Sequence, residues 1–207
     1  MSSFEGAPRL DRNNDVVWQA TQVSPQERAL LLGQRPVTLW LTGLSGSGKS
    51  TLAFALEQRL VQQGKPCFVL DGDNIRHGLN RDLDFTPDAR AENIRRIAEV
   101  AKLMNMAGLI VIASFISPYR QDRQMAREIV GADTFREIHL STALEQCEER
   151  DPKGLYRKAR AGLIPDFTGV SAPYEPPSSP DLRLDTAALT VDDCLEHLTH
   201  MIRGFLT

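Results

Sequence analysis

The sequence predicts an α/β fold: a parallel sheet with helices on both faces and a lid segment. Three observations carry that reading. Short continuous apolar runs alternate with longer stretches of helical period, which is how strands buried on both faces read when crossover helices join them. A glycine-rich turn links the first apolar run to the first long helical stretch. Residues 162–180 break the alternation with proline and serine, and long irregular stretches in compact domains are often lids or binding loops.

The elements follow in chain order. Residues 1–15 are polar and aperiodic, so a mobile arm is expected ahead of one domain over residues 16–207. Ser24, Pro25 and Glu27 have the pattern of a capped helix start, and Gly33 supplies the stop. Residues 37–41 form the first strand. The helix beyond the glycine-rich turn starts near Ser50, with Leu52, Ala55, Leu56 and Leu60 on one face and Gly64 past its end. Cys67-Phe68-Val69-Leu70 is the second strand. Thr86 and Pro87 open the next helix, whose apolar face is Ile94, Ile97, Ala98, Ala101 and Met104. Residues 109–115 and 135–140 are the third and fourth strands, with a polar helix between them. Short helices are expected near residues 143–149 and 153–161. Leu182-Arg183-Leu184 is a weak last strand, and Thr190 caps a final amphipathic helix.

Composition narrows the function classes. With 207 residues, 42% of them hydrophobic, the chain can bury a core without disulfides or metal. A net charge of -3 argues against nucleic acid as the main partner, while local basic clusters can still hold small anions. Cys67, Cys147 and Cys194 are far apart and form no C-x-x-C pair, so neither a zinc site nor a disulfide scaffold is expected. They suit a reducing compartment, and a cytoplasmic location is expected. No signal peptide is visible, and no apolar run is long enough to suggest a membrane partner.

The strongest motif is Gly43-Leu44-Ser45-Gly46-Ser47-Gly48-Lys49-Ser50, which satisfies G-x-x-x-x-G-K-[ST] between a strand and a helix. Its glycines let the backbone curl into an anion nest, and the following helix adds its positive end. Lys49 is expected to reach the β- and γ-phosphates of ATP, and the Ser50 hydroxyl to ligate Mg²⁺. Residues 43–50 and the adjoining Thr51 are thus the predicted ATP-binding segment. A GTP switch would also need an N-K-x-D segment, which the sequence lacks. Asp151-Pro152-Lys153-Gly154 fits the D-x-x-G pattern of such switches, but it follows a helix and comes late in the chain. Small-molecule phosphoryl transfer is favoured.

Leu70-Asp71-Gly72-Asp73-Asn74 lies at the carboxyl end of the second strand, where ligands bind in open α/β sheets. Two carboxylates there can orient Mg²⁺ waters or accept a proton from an attacking hydroxyl, or can simply be solvated in an Asp-Gly turn. The run continues through Ile75-Arg76-His77-Gly78-Leu79-Asn80. Further on come Glu92-Asn93-Ile94-Arg95-Arg96, Phe115-Ile116-Ser117-Pro118, Arg150-Asp151-Pro152-Lys153-Gly154-Leu155-Tyr156 and Phe167-Thr168-Gly169.

With these motifs in this order, the chain from about residue 14 to residue 202 resembles the adenylylsulfate kinases, of the P-loop NTPase type. The resemblance implies phosphorylation of adenosine 5′-phosphosulfate on its 3′-hydroxyl by MgATP. It implies that Arg76, Arg90 and Asn93 hold the phosphosulfate, and that Phe85 and Phe167 sandwich the substrate adenine. Ile116 and Ser117 are implied as substrate contacts. Lys153, Arg157, Lys158 and Arg160 correspond to the lid. Asp73 corresponds to the aspartate that takes the acceptor's proton or organises Mg²⁺. Ser117 is implied as a phosphorylated, catalytic serine, although in-line transfer between two bound substrates needs positioning rather than a protein nucleophile. A homodimer is implied as well. No sulfurylase domain is recognisable, so the stand-alone form is expected.

Two positions depart from the family pattern: Asp84 stands where glycine is usual, and Ser171 where aspartate is usual. Arg95 and Arg96 read as ordinary helix charges. His197 and His200 have no third metal ligand, His139 reads as a strand residue and His77 as a neighbour of the site. The rival readings are a kinase for another small acceptor and a regulatory protein that binds the nucleotide without turning it over.

Overall fold

A computed structural model describes Val17 and residues 19–206, and the arm expected at residues 1–15 lies outside the described residues. Five strands, β1 (Thr38–Thr42), β2 (Cys67–Asp71), β3 (Ile110–Ser114), β4 (Phe135–Leu140) and β5 (Leu182–Leu184), make one sheet in the order β2-β3-β1-β4-β5. Every pairing is parallel. The central β1 is buried along its whole length, and alternate residues serve opposite cores. Leu39 and Leu41 face one side, while Trp40 faces the other.

The helices close both faces. On the Leu39 side lie α2 (Lys49–Gln62) and α8 (Val191–Ile202), which bury Leu52, Leu56 and Leu60 against Leu195, Leu198 and Ile202. On the Trp40 side lie α4 (Pro87–Met106) and α5 (Arg120–Val130), which contribute Ile94, Ile97, Ala101 and Ala126. Trp40 stacks on Phe115 and Phe135 with centroids 5.8 and 5.6 Å away. A third, smaller cluster of Cys147, Tyr156, Ala159 and Phe167 lies under the expected lid, formed by α6 (Leu144–Arg150), α7 (Leu155–Arg160) and the irregular residues beyond. Leu44 of the glycine-rich loop packs against that cluster, so lid and loop share apolar surface.

Capping chemistry sets the helix starts. In α1 (Pro25–Leu32) Ser24 and Glu27 form a reciprocal capping box, and Gly33 closes the helix in the left-handed conformation. Thr86 accepts from the Ala89 amide to start α4, and Thr190 pairs with Asp193 to start α8. One element escapes the sequence pattern. Residues 72–76 form α3 (Gly72–Arg76), a single turn capped by Asp71 and too short to show a period. No helix among the described residues is long and apolar enough to cross a membrane.

Candidate active site

The loop between β1 and α2 is held by its carbonyls. Lys49 Nζ donates to Gly43 O at 2.9 Å and to Leu44 O at 2.7 Å. Tyr156 Oη donates to Ser45 O at 3.0 Å, Arg150 Nη1 to Gly46 O at 3.3 Å and Thr186 Oγ1 to Ser47 O at 3.0 Å. A trans peptide points its N–H opposite to its C=O, so tying the carbonyls of Ser45 and Ser47 to these outer groups turns the N–H groups of Gly46 and Gly48 the other way. That is the geometry of an anion nest at the head of a helix.

Two of the glycines are forced by space. A Cβ on Gly43 would lie 2.7 Å from Leu140 O, and one on Gly46, where φ is 76°, would lie 2.8 Å from Cys147 O. Lys49 is buried, and that burial brings its ammonium down to about 8, against the opposing pull of Cys147 and Asp71. Thr51 lies in the first turn of α2, and its side chain is exposed.

The two carboxylates after β2 part company. Asp71 is buried; its Oδ2 accepts from Ser50 Oγ at 2.7 Å and its Oδ1 from the Asp73 amide at 3.1 Å. Ser114 Oγ is 3.5 Å from Ser50 Oγ. Asp73 is exposed and forms an ion pair with Lys153, at the foot of α7. The solvated-turn alternative therefore describes Asp73 before any ligand is considered, and does not describe Asp71.

The expected acceptor residues gather around α4. Arg76 donates to Leu83 O at 2.9 Å and Asp84 O at 3.1 Å, and its guanidinium carbon sits 4.2 Å from the Phe85 ring centroid. Arg90 reaches three ways, to Phe85 O at 2.8 Å, Asp166 O at 2.6 Å and Thr168 Oγ1 at 2.8 Å. It thereby ties the segment bearing Phe85 to the segment bearing Phe167. Phe85 is 62% exposed, whereas Phe167 is 9% exposed and meets Tyr156 edge-on at 5.0 Å. Asn93 is buried and accepts from Asn80 Nδ2 at 2.9 Å. Arg95 and Arg96 pair with Glu92, and Arg96 also with Asp82, as surface helix charges do.

Both unusual residues have definite work. Asp84 Oδ1 accepts from the Thr86 amide at 2.9 Å and the Thr86 hydroxyl at 2.6 Å, reinforcing the start of α4. Ser171 Oγ accepts from the Phe167 amide at 2.9 Å, a bond for which an aspartate oxygen is equally suited.

Ser117 follows β3 with φ at 40°, in the left-handed region, and is buried. Its Oγ accepts from Trp40 Nε1 at 3.2 Å, and Ile116 O accepts from Thr42 Oγ1 at 2.7 Å. Among the described residues no base contacts the Ser117 hydroxyl, which otherwise donates to Phe115 O at 3.4 Å. In the lid, Arg160 pairs with Glu148, while Arg157 and Lys158 lie exposed on α7. Residues 169–174 and Leu44 line a cavity of about 510 Å³ between lid and loop. His77 is the residue just after α3 and His139 is buried in β4.

Sequence reasoning passed over several residues that the fold brings in. Asp71 was legible as a second acid at a strand end. Arg150 stood inside a quoted motif, and only the fold shows it gripping Thr186 O at 2.7 Å beside the loop. Thr186 had no signal, being a lone threonine after a weak strand.

A parallel sheet in this order, a phosphate nest after its central strand, and a hydroxyl-carboxylate pair beside it define a protein of the P-loop class. The comparisons carry the assignment further. Residues 35–185 match the family model described as adenylylsulphate kinase, and the chain belongs to that family. It is 54% identical over 185 residues to an adenylyl-sulfate kinase of Marinobacter nauticus, covering 89% of this chain and 93% of that one. It is 61% identical over 189 residues to the bifunctional enzyme NodQ of Rhizobium tropici, covering 89% of this chain but only 30% of the relative's length. A solved structure of the Mycobacterium tuberculosis APS kinase CysC in complex with AMPPNP and APS superposes with a TM-score of 0.79. It is 46% identical, over 82% of this chain and 99% of that one.

Proposed function

We propose that the protein transfers the γ-phosphoryl group of MgATP to the 3′-hydroxyl of adenosine 5′-phosphosulfate, giving 3′-phosphoadenosine 5′-phosphosulfate and ADP. The observation that carries the reading is the junction of two half-sites. Ser50, from the donor loop, bonds Asp71 at 2.7 Å, and two residues beyond Asp71 stands Asp73, on the acceptor side. Adenylyl-sulfate kinases among the relatives and the M. tuberculosis enzyme solved with APS and an ATP analogue support the choice of substrates.

Gly46, Gly48 and Lys49 bind the donor's phosphates, Lys49 exchanging its carbonyl partners for phosphate oxygens. Arg76, Arg90 and Asn93 orient the phosphosulfate; an arginine fork donates paired hydrogen bonds to anionic oxygens. Phe85 closes on the adenine opposite Phe167, and stacking on an aromatic face contributes about 1–3 kcal/mol. Ile116 and Ser117 contact the acceptor, with Ser117 held as a positioning serine by Trp40 rather than activated as a nucleophile. The hydroxyl oxygen attacks the γ-phosphorus in line, its proton passes to the Asp73 carboxylate, and the bond to the ADP oxygen breaks. Lys153, released from Asp73, is free to meet the charge of the transferring group.

Magnesium fits the residues present. Ser50 Oγ, Asp71 Oδ2 and Ser114 Oγ form an all-oxygen set at the mouth of the loop, the donor type that hard divalent cations prefer. Ser50 and Asp71 would hold the ion, which would supply neutralisation of the charge on the donor's phosphates. A cytoplasmic homodimer is proposed with it. The three free cysteines support the reducing compartment, and the family resemblance alone supports the dimer.

The test is turnover with MgATP and adenosine 5′-phosphosulfate, nucleotides separated chromatographically, beside Lys49→Ala. A 3′-phosphorylated product that is absent from the variant is expected. ATP consumption only with a different acceptor would discard the substrate and keep the kinase.

A further inference from the structure

The geometry points to Arg123 as a positioning residue that locks the turn at residues 116–117 to the returning limb of the lid at residues 174–176. The inference rests on the reading of that turn as part of the acceptor site.

Arg123 lies one turn into α5 and is 3% exposed. A buried guanidinium is tolerated only when its donors are placed, and this one has each edge occupied. Its Nε donates to Glu137 Oε1 on β4 at 2.7 Å, Nη1 to Ser117 O at 2.6 Å and Nη2 to Glu175 O at 2.7 Å. One planar fork therefore joins a strand of the sheet, the turn after β3 and the lid limb.

Each joined part needs holding. Ser117 carries a side chain at a φ of 40°, a strained conformation that persists only where its surroundings over-determine it. On the other side, the limb has no regular secondary structure of its own, yet it is bonded to the end of the turn, to the start of α5 and to β1. The Glu175 amide donates to Pro118 O at 2.8 Å, and Glu175 Oε2 accepts from the Arg120 amide at 2.9 Å. Arg120 Nε donates to Pro176 O at 2.8 Å, and Tyr174 Oη lies 3.0 Å from Thr42 Oγ1. Turn and limb form one body whose buried centre is Arg123. The limb is thus fixed to the turn, and that joint also sets where Ile116 and Ser117 meet the acceptor.

A lysine can keep the charge beside Glu137 but cannot span three acceptors from one point. Arg123→Lys is expected to speed hydrogen exchange at the Arg120 and Glu175 amides about tenfold, as a weakened local joint opens more often. It should raise KM for adenosine 5′-phosphosulfate about tenfold, while KM for MgATP stays within about twofold. The pair Arg123→Met with Glu137→Gln removes both charges and so avoids an unpaired buried carboxylate; it should show the same split. Unchanged exchange at both amides in either folded variant overturns the joint, as does a loss of kcat that leaves both KM values unmoved. Exchange is read without substrate, so it judges the joint alone. Failure of the unmodified protein to turn over the phosphosulfate would instead strike the acceptor reading.

Discussion

At the residue scale, the division between Asp71 and Asp73 shows how position selects chemistry for two like side chains. Asp71 ends the buried half of β2 and spends both oxygens inside the protein, on Ser50 and on the Asp73 amide. Asp73, two residues on, faces solvent and pairs with Lys153 of the lid. Lys49 has the complementary problem, a positive charge under cover. Burial brings it down to about 8, so the free protein loses the ammonium as the pH rises through that value. Bound phosphates restore the charge and raise its affinity for the proton, so donor binding above pH 8 takes up a proton. Calorimetry of MgATP binding at pH 9, in two buffers of different ionisation enthalpy, should read an uptake approaching one proton. Affinity should weaken by up to about tenfold per pH unit above 8. An uptake of zero would mean either that Lys49 is already charged in the free protein or that it lies outside the donor contacts.

At the element scale, the start of α4 matters because this helix carries Arg90 and Asn93. Thr86 Oγ1 accepts from the Ala89 amide, and Asp84 bonds both polar groups of Thr86. Thr86→Ala should cost about 1 kcal/mol of stability. For a domain of this size that is a fall of roughly 2–4 °C in Tm, measurable by calorimetry. This cap was legible in the sequence, as were those of α1 and α8, the five strands and the phosphate loop, because each is written in neighbouring residues. Other features are written across the chain and were not legible. Helix α3 starts at a glycine and is over before a period can appear. Thr186 matters only because β5 lies beside β4, which brings its hydroxyl to Ser47 O. Arg123 looked like one charge among several on a polar helix, and its burial follows from three acceptors, two of them on β4 and the lid limb. The left-handed φ of Ser117 had no signal, since its residue type does not require it.

At the scale of the whole molecule, sheet, lid and acceptor turn meet around β4. His139 there is buried, stacks on Tyr174 of the lid limb at 5.9 Å, and leaves Nδ1 without a partner. Burial, with Arg183 and Arg123 adding to it, pushes its imidazole down to about 4 from 6.5. The folded state thus resists protonation while the unfolded chain accepts it. Stability should fall as the pH drops from about 6.5 towards 4, and stop falling on this account below that. Thermal unfolding across that range should show a shallower decline in His139→Phe than in the unmodified protein; equal slopes would remove His139 as the cause. The phosphate loop bears on a longer timescale. Its proposed grip on the donor is made largely of main-chain atoms, which substitution hardly touches outside Lys49 and the positive-φ glycines Gly43, Gly46 and Gly48. The proposed acceptor grip is made of side chains on other segments, after β2 and along α4. Inheritance can therefore retune which alcohol is phosphorylated, one side chain at a time, while the source of the phosphate stays the same.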